Sequence, residues 1–391
     1  MNRRNTIFNQ ITQLLNRKGF WRIVNRYEGD RYVKSMTCWQ EMQILLFSLV
    51  KDLVSFRDVE ACLKSNADKW EHIGLASVAR STLADALALR PYKMFEDLFY
   101  QFLDKCQRLA PRHDFRVKVP VFTHDSTLIS VCLSSFPWAR YRRRKGGLKL
   151  HMLLDHDGYL PSFIRMTDGK VHDIRVVKDA EYDFPALPPD SILTIDRGYT
   201  DFGWLHSLHT TGVTFVILAK SNMAYHLVGQ HKEPNVRRGI IRDQEVEMSN
   251  FYESKAYPEK LRLIQYYNKE LNKNLVFLTN NFTLSATTIA ALYKGRWEIE
   301  TFFKWIKQHL KIKTFYGTSE NAVMTQVWIA MILYLLLSFI KFQARYAFTM
   351  LELLRVIRER LLGFESLIEL LRVNYERLRS LRSAPVQLSF Y

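Results

Sequence analysis

Two hydrophobic rhythms divide the chain. Up to about Pro111, apolar residues recur at three- and four-residue steps, as at Met42, Leu46, Val50 and Leu53, the period of helices that bury one face. From Val117 the texture changes to short apolar runs separated by Gly, Pro and Asp. Residues 117–123, 148–154, 160–166, 192–195 and 213–219 read as strands, and 201–209 as a helix between the last two. Strands in series, then strand–helix alternation, predict an α/β (mixed α+β) domain: a mixed sheet with helices packed on it.

Residues 222–274 interrupt that pattern. They are polar and charge-rich, with alternating stretches at 239–248 and 261–267, and read as a β-rich insertion. A strand at 275–278 and a long helix from about Ser285 resume the main domain. An almost purely apolar run at 327–340 follows, then two basic amphipathic helices up to Leu381. The run is shorter than the ~20 residues of a membrane span, so it reads as a buried helix and no membrane partner is expected. The expected division is 1–115 helical, 116–221 core, 222–274 insertion, 275–345 core resumed, and 346–391 C-terminal helices.

Composition narrows the class of function. A net charge of +17 over 391 residues attracts a polyanion, and a nucleic-acid backbone is the commonest one. A merely basic protein, or one lying on anionic lipid, would share the surplus. The four cysteines, Cys38, Cys62, Cys106 and Cys132, are far apart and imply neither a zinc site nor a disulfide framework. They read as small core residues of a reducing cytoplasm, and the polar, basic N-terminus lacks the apolar block of a signal peptide. Within the basic helical opening, residues 77–89 are compatible with a helix-turn-helix or with a plain bundle.

Candidate chemistry concentrates in three places. On one continuous helix, Tyr293, Arg296, Glu300 and Lys307 fall within about 60° of one another, beside a core stripe of Leu292, Ile299, Phe303, Ile306 and Leu310. Asp125 and Asp196 close predicted strands, where carboxylates from distant segments can converge on one cleft. Arg142, Arg143, Arg144 and Lys145 form the densest cationic run and read as a clamp on a DNA backbone. Trp297 could stack on a base, but packing against the core is the preferred reading.

The spacing Tyr293, Arg296, Glu300, Lys307 resembles the Y-R-E-K signature of DDE insertion-sequence transposases. Asp125-Ser126-Thr127 and Asp196-Arg197-Gly198-Tyr199 resemble that family's first two acidic motifs. Lys149-Leu150-His151 and His172-Asp173 also resemble family positions. The resemblance spans residues 117–315 and implies an RNase H-like core with Asp125, Asp196 and Glu300 as the catalytic and metal-holding triad. It further implies two Mg²⁺ or Mn²⁺ ions, and Tyr293, Arg296 and Lys307 on DNA phosphates. The partners would be double-stranded DNA, as terminal inverted repeats and target, with a homodimer pairing two ends in a nucleoid-associated complex.

Relatives of this kind cut and paste through a hairpin, using an aromatic of the insertion, often Trp. Residues 222–274 hold no Trp. The alternatives are a DNA-binding relative without chemistry, an RNase H-like nuclease that does not join strands, and a membrane-anchored basic protein.

Overall fold

The structure, a computed structural model, describes residues 5–372 apart from 71–74, 76–77, 143–144 and 313. Two compact units divide the chain, one formed by residues up to Ala110 together with those from Trp305, the other by Pro111–Lys304.

In the first unit the periodic segments fold as helices. Polar caps set their starts: Thr37 closes a capping box at the head of Cys38–Val50, and Thr349 does the same for Met350–Arg360. At the centre lies Glu320–Gln343, against Lys93–Gln107, Cys38–Val50 and Arg80–Leu89. This helix is long and apolar enough to cross a membrane, yet its most apolar stretch is wholly buried in protein. It is longer than the apolar run because Ser319 caps it seven residues before Gln326, with Asn321 bonded to the Leu87 and Arg90 carbonyls. Of the cysteines, Cys38 and Cys106 are core residues, whereas Cys132 is exposed.

The second unit is built on one ten-stranded sheet: β1 (Val121–Val131), β2 (Arg140–Arg142), β3 (Lys145–Asp155), β4 (Leu160–Asp168), β5 (Ile192–Ile195), β6 (Thr214–Leu218), β7 (Tyr225–Gln230), β8 (Ile240–Met248), β9 (Leu261–Asn268) and β10 (Lys273–Thr279). The order is β2-β3-β1-β5-β6-β10-β9-β8-β7, with β4 also on β3. Strands β1, β3 and β4 are antiparallel neighbours, and β5 and β6 then run parallel to β1, the arrangement expected of an RNase H-like core. Residues 222–274 supply β7, β8, β9 and a short helix, Phe251–Ala256. They extend the same sheet through the β9–β10 pairing.

Alternation along each strand gives the sheet two apolar faces. Phe122, Leu193, Ile195, Phe215 and Leu263 line one, under the helix Phe202–Thr210. Val121, Ile192, Val216, Ile264 and Phe277 line the other, under the helix Ala286–Gly295. The functional candidates belong to the second face.

Candidate active site

Parallel pairing of β1 with β5 ends at His124↔Ile195, and the next residues along the two strands are Asp125 and Asp196. Neighbouring strands lie about 4.8 Å apart, so these carboxylates stand side by side although 71 positions separate them in the chain. Asp196 closes β5 as expected. Asp125 does not close β1, which continues to Val131 because the hairpin partner β3 goes on pairing with it. What ends at Asp125 is the parallel pairing, and that leaves the carboxylate open on the side of Asp196.

The third acid arrives on a broken helix. In place of one continuous helix, Ala286–Gly295 and Trp297–His309 flank Arg296. Around the break, the Arg296 amide donates to the Tyr293 carbonyl at 3.0 Å and the Ile299 amide to the Arg296 carbonyl at 3.2 Å. These i→i−3 bonds are tighter than α-helical ones. The Phe115 ring packs against Gly295, where a Cβ would force the ring to shift. The core stripe survives: Leu292, Ile299, Phe303, Ile306 and Leu310 are buried.

The presented edge does not survive intact. Tyr293 is buried, its ring centroid 4.8 Å from that of Phe277. Arg296 is only 5% exposed, and Trp297 stands out at 46% instead of packing inward.

Arg296 joins two of the acids. Its Nη1 donates to Asp125 Oδ2 at 3.0 Å and its Nη2 to Glu300 Oε1 at 2.8 Å. The guanidinium lies 5.5 Å from the Tyr293 ring centroid and 5.4 Å from that of Trp297, within cation–π range. Burial pushes the Asp125 carboxyl up to about 6, against the pull of Arg296, and the charges of Asp196 and Glu300 push the same way. That coupling marks the three acids as one electrostatic cluster. Lys307 follows Glu300 on the Trp297–His309 helix, which belongs to the second unit up to Lys304 and to the first from Trp305.

The donor set is right for a hard divalent cation, being all carboxylate oxygen. Among the described residues, however, no three acidic, His or Cys side chains converge closely enough to hold an ion as they stand. The guanidinium of Arg296 lies between Asp125 and Glu300, paired with both.

Polar networks that the sequence pattern did not disclose support the first acid from both faces. On its own face, Thr123 Oγ1 is 2.7 Å from His156 Nε2 and 2.6 Å from Thr194 Oγ1, all buried. On the opposite face, Ser126 Oγ donates to Asp173 Oδ1 at 2.6 Å, and Lys149 Nζ lies 3.2 Å from the same oxygen while donating to the Val171 carbonyl. The Ser126 amide in turn donates to Asp125 Oδ1 at 2.8 Å. Lys149 and His172-Asp173 are legible as motif positions; the meeting of Lys149 and Ser126 at the Asp173 carboxylate needs the fold.

Burial depresses three histidines here, His124 and His151 to about 3 and His156 to about 4. Each folded value lies below the ordinary value of about 6.5. The stability each contributes is therefore complete above that value and is lost as pH falls toward the folded one. Asp125 and Asp155, both raised to about 6 by burial, oppose this slope. Among the described residues neither ring nitrogen of His124 has a hydrogen-bond partner, and its ring sits about 5 Å from those of Phe184 and Tyr199. His124→Phe should therefore fold and should reduce the loss of stability between pH 7 and pH 5 by about 2 kcal/mol. Thermal unfolding at the two pH values tests this; equal losses in variant and parent would refute it.

The cationic run falls partly outside the described residues. Arg143 and Arg144 are not described, and of Arg142 and Lys145 only the backbone is, at the ends of β2 and β3.

With this geometry in view, the comparisons are direct. Residues 118–336 match the family model of the transposase DDE domain, and residues 3–76 match a domain of unknown function (DUF4372). The chain belongs to the DDE transposase domain family and is a DNA transposase of the insertion-sequence kind. A Sinorhizobium fredii protein named as a transposase is 33% identical, over 67% of this chain and 71% of the relative. A Geobacillus stearothermophilus protein named as the transposase of insertion sequence element IS5377 is 27% identical, over 88% of this chain and 87% of its own. Among solved structures, a piggyBac transposase synaptic complex with hairpin DNA covers 96% of this chain and 80% of that one. Its identity is 13% and its TM-score 0.45, too distant to add to the assignment. Family membership carries nuclease and transesterification chemistry in general.

Proposed function

We propose that Asp125, Asp196 and Glu300 are the catalytic triad of a cut-and-paste transposase, and that they hold two Mg²⁺ or Mn²⁺ ions. The observation that carries this reading is the bridge of Arg296 between Asp125 and Glu300, beside the strand end that brings Asp196 alongside. Bound divalent ions would let three carboxylates share a site, activate the attacking oxygen and stabilise the leaving one.

The chain's own residues then have distinct tasks. The two Asp side chains are fixed by adjacent strands, while Glu300, at 42% side-chain exposure, is the adjustable member. Arg296 and Lys307 grip phosphate, the first as a bidentate fork and the second as a point charge. Tyr293 is buried and backs the guanidinium. Exposed Trp297 is placed to stack on a base, and Arg142 to Lys145 clamp the backbone. The basic helices of residues 1–115 supply duplex binding, and a homodimer pairs the two element ends.

In this reading, water displaces the 3′ oxygen at the element's end, and the freed 3′-OH attacks the opposite strand and closes a hairpin that releases the flanking DNA. After water opens the hairpin, the 3′-OH attacks target DNA, displacing a target 3′ oxygen. The test is a duplex bearing the inverted repeats that flank the reading frame, incubated with full-length protein and Mg²⁺. Nicks at the repeat ends, followed by joined products, support the proposal. Nicks without joining would leave a nuclease, and binding without nicks would leave a DNA-binding relative. Binding should also weaken steeply with salt, at close to one logarithmic unit of slope per phosphate contacted.

A further inference from the structure

One buried cation contacts two of the acids assigned above to divalent ions, and the two kinds of positive charge cannot share one place. Arg296 donates separate N–H groups to Asp125 and Glu300, and its own fit is tight: the side chain is 7% exposed and Tyr293 and Trp297 flank the guanidinium. Among the described residues its buried Nε has no hydrogen-bond partner, so there the fork is not fully satisfied. The residue sits at the break between two helices, where a change of a few dihedrals moves the side chain without unravelling either helix. Glu300, on the first turn after that break, is the more exposed end of the bridge.

We infer that Arg296 is a built-in competitor for the divalent-cation site: it offsets part of the charge of Asp125 and Glu300 until an ion replaces it, and is thereby released toward the DNA phosphate. The inference rests on the triad reading. It gives the signature arginine a second task and links the two. A site preloaded with a guanidinium keeps three like charges from repelling one another in the free protein, and it sets the cation concentration at which the site switches. Because the guanidinium and the ion exclude each other, phosphate engagement by Arg296 becomes conditional on ion binding.

The sign of the expected effect separates this from a purely structural role. Removing a side chain that supports a site ordinarily weakens binding there; removing a competitor strengthens it. In a calorimetric titration of Mn²⁺ into the full-length, DNA-free protein, Arg296→Gln should bind the ion roughly tenfold more tightly than the parent. Arg296→Lys, which cannot bridge both carboxylates, should fall between them. Mn²⁺ should also raise the melting temperature of Arg296→Gln more than that of the parent, since the variant's carboxylates start without a counter-charge.

Equal or weaker Mn²⁺ binding by both folded variants would overturn the inference. If Arg296→Gln does not fold, the Lys variant decides alone. The two readings fail differently. Ion binding that Glu300→Gln abolishes and Arg296 substitutions leave unchanged defeats the competitor and spares the triad. No ion binding by any variant defeats both.

Discussion

Glu300→Gln is expected to reduce strand cutting by at least about a thousandfold while leaving duplex binding within a factor of about two. The substitution is nearly isosteric, and the amide oxygen can still accept from Arg296 Nη2, as Glu300 Oε1 does at 2.8 Å. The side chain is 42% exposed, so replacing its charge costs the fold little, less than ~1 kcal/mol. What is lost is a negative donor oxygen in a cluster whose chemistry depends on holding positive charge. Several kilocalories of transition-state stabilisation depend on that charge, which sets the size of the effect. A cleavage assay on repeat-end DNA, run beside a gel-shift titration, measures both. A variant that cuts at a tenth of the parent rate would remove Glu300 from the triad.

The second large effect concerns the fold. Arg262 and Asp243 form a fully buried, bidentate pair between β9 and β8, with N–O distances of 2.7 and 2.8 Å. Arg262 Nη1 also donates to the carbonyls of Asn281 and Leu284, in the loop that leads into the helix Ala286–Gly295. One side chain thus ties the strands of residues 222–274 to the approach of the signature helix. Arg262→Met should cost about 3–5 kcal/mol, because it leaves a buried carboxylate and two carbonyls without donors. The melting transition of the second unit should drop by roughly 10 °C. Asp243→Leu combined with Arg262→Met should recover most of the loss, since the uncompensated charge goes too. A single variant that melts with the parent would show that the pair contributes no net stability.

The periodicity of the chain places eight of the ten described strands and the helical N-terminal region, but not the short β2 or the exposed β7, because only burial of one face imposes that spacing. Residues 192–195 were read at their observed bounds, and Ile299, Phe303 and Ile306 as core. The acids were legible only through the order and spacing of motifs, since a lone Asp at a strand end has no distinguishing pattern. The break at Arg296 was not legible. Helical spacing continues through it, and the residues packed beside it, Phe115 and His156 against Gly295, are remote in sequence. Trp297, exposed, lies on the helical wheel well away from the core stripe, so its spacing already pointed outward.

Taken alone, the sequence determined the alternation of strands and helices, the basic charge and the family motifs, all of which are local or additive properties. Only the tertiary structure decided that Asp125 lies beside Asp196, that Arg296 bridges Asp125 to Glu300, and that Lys149, Asp173 and Ser126 form one network behind the first acid. Those facts depend on which strands pair and in what register. Pairing is settled by the collective burial of two sheet faces, to which no single segment holds the key.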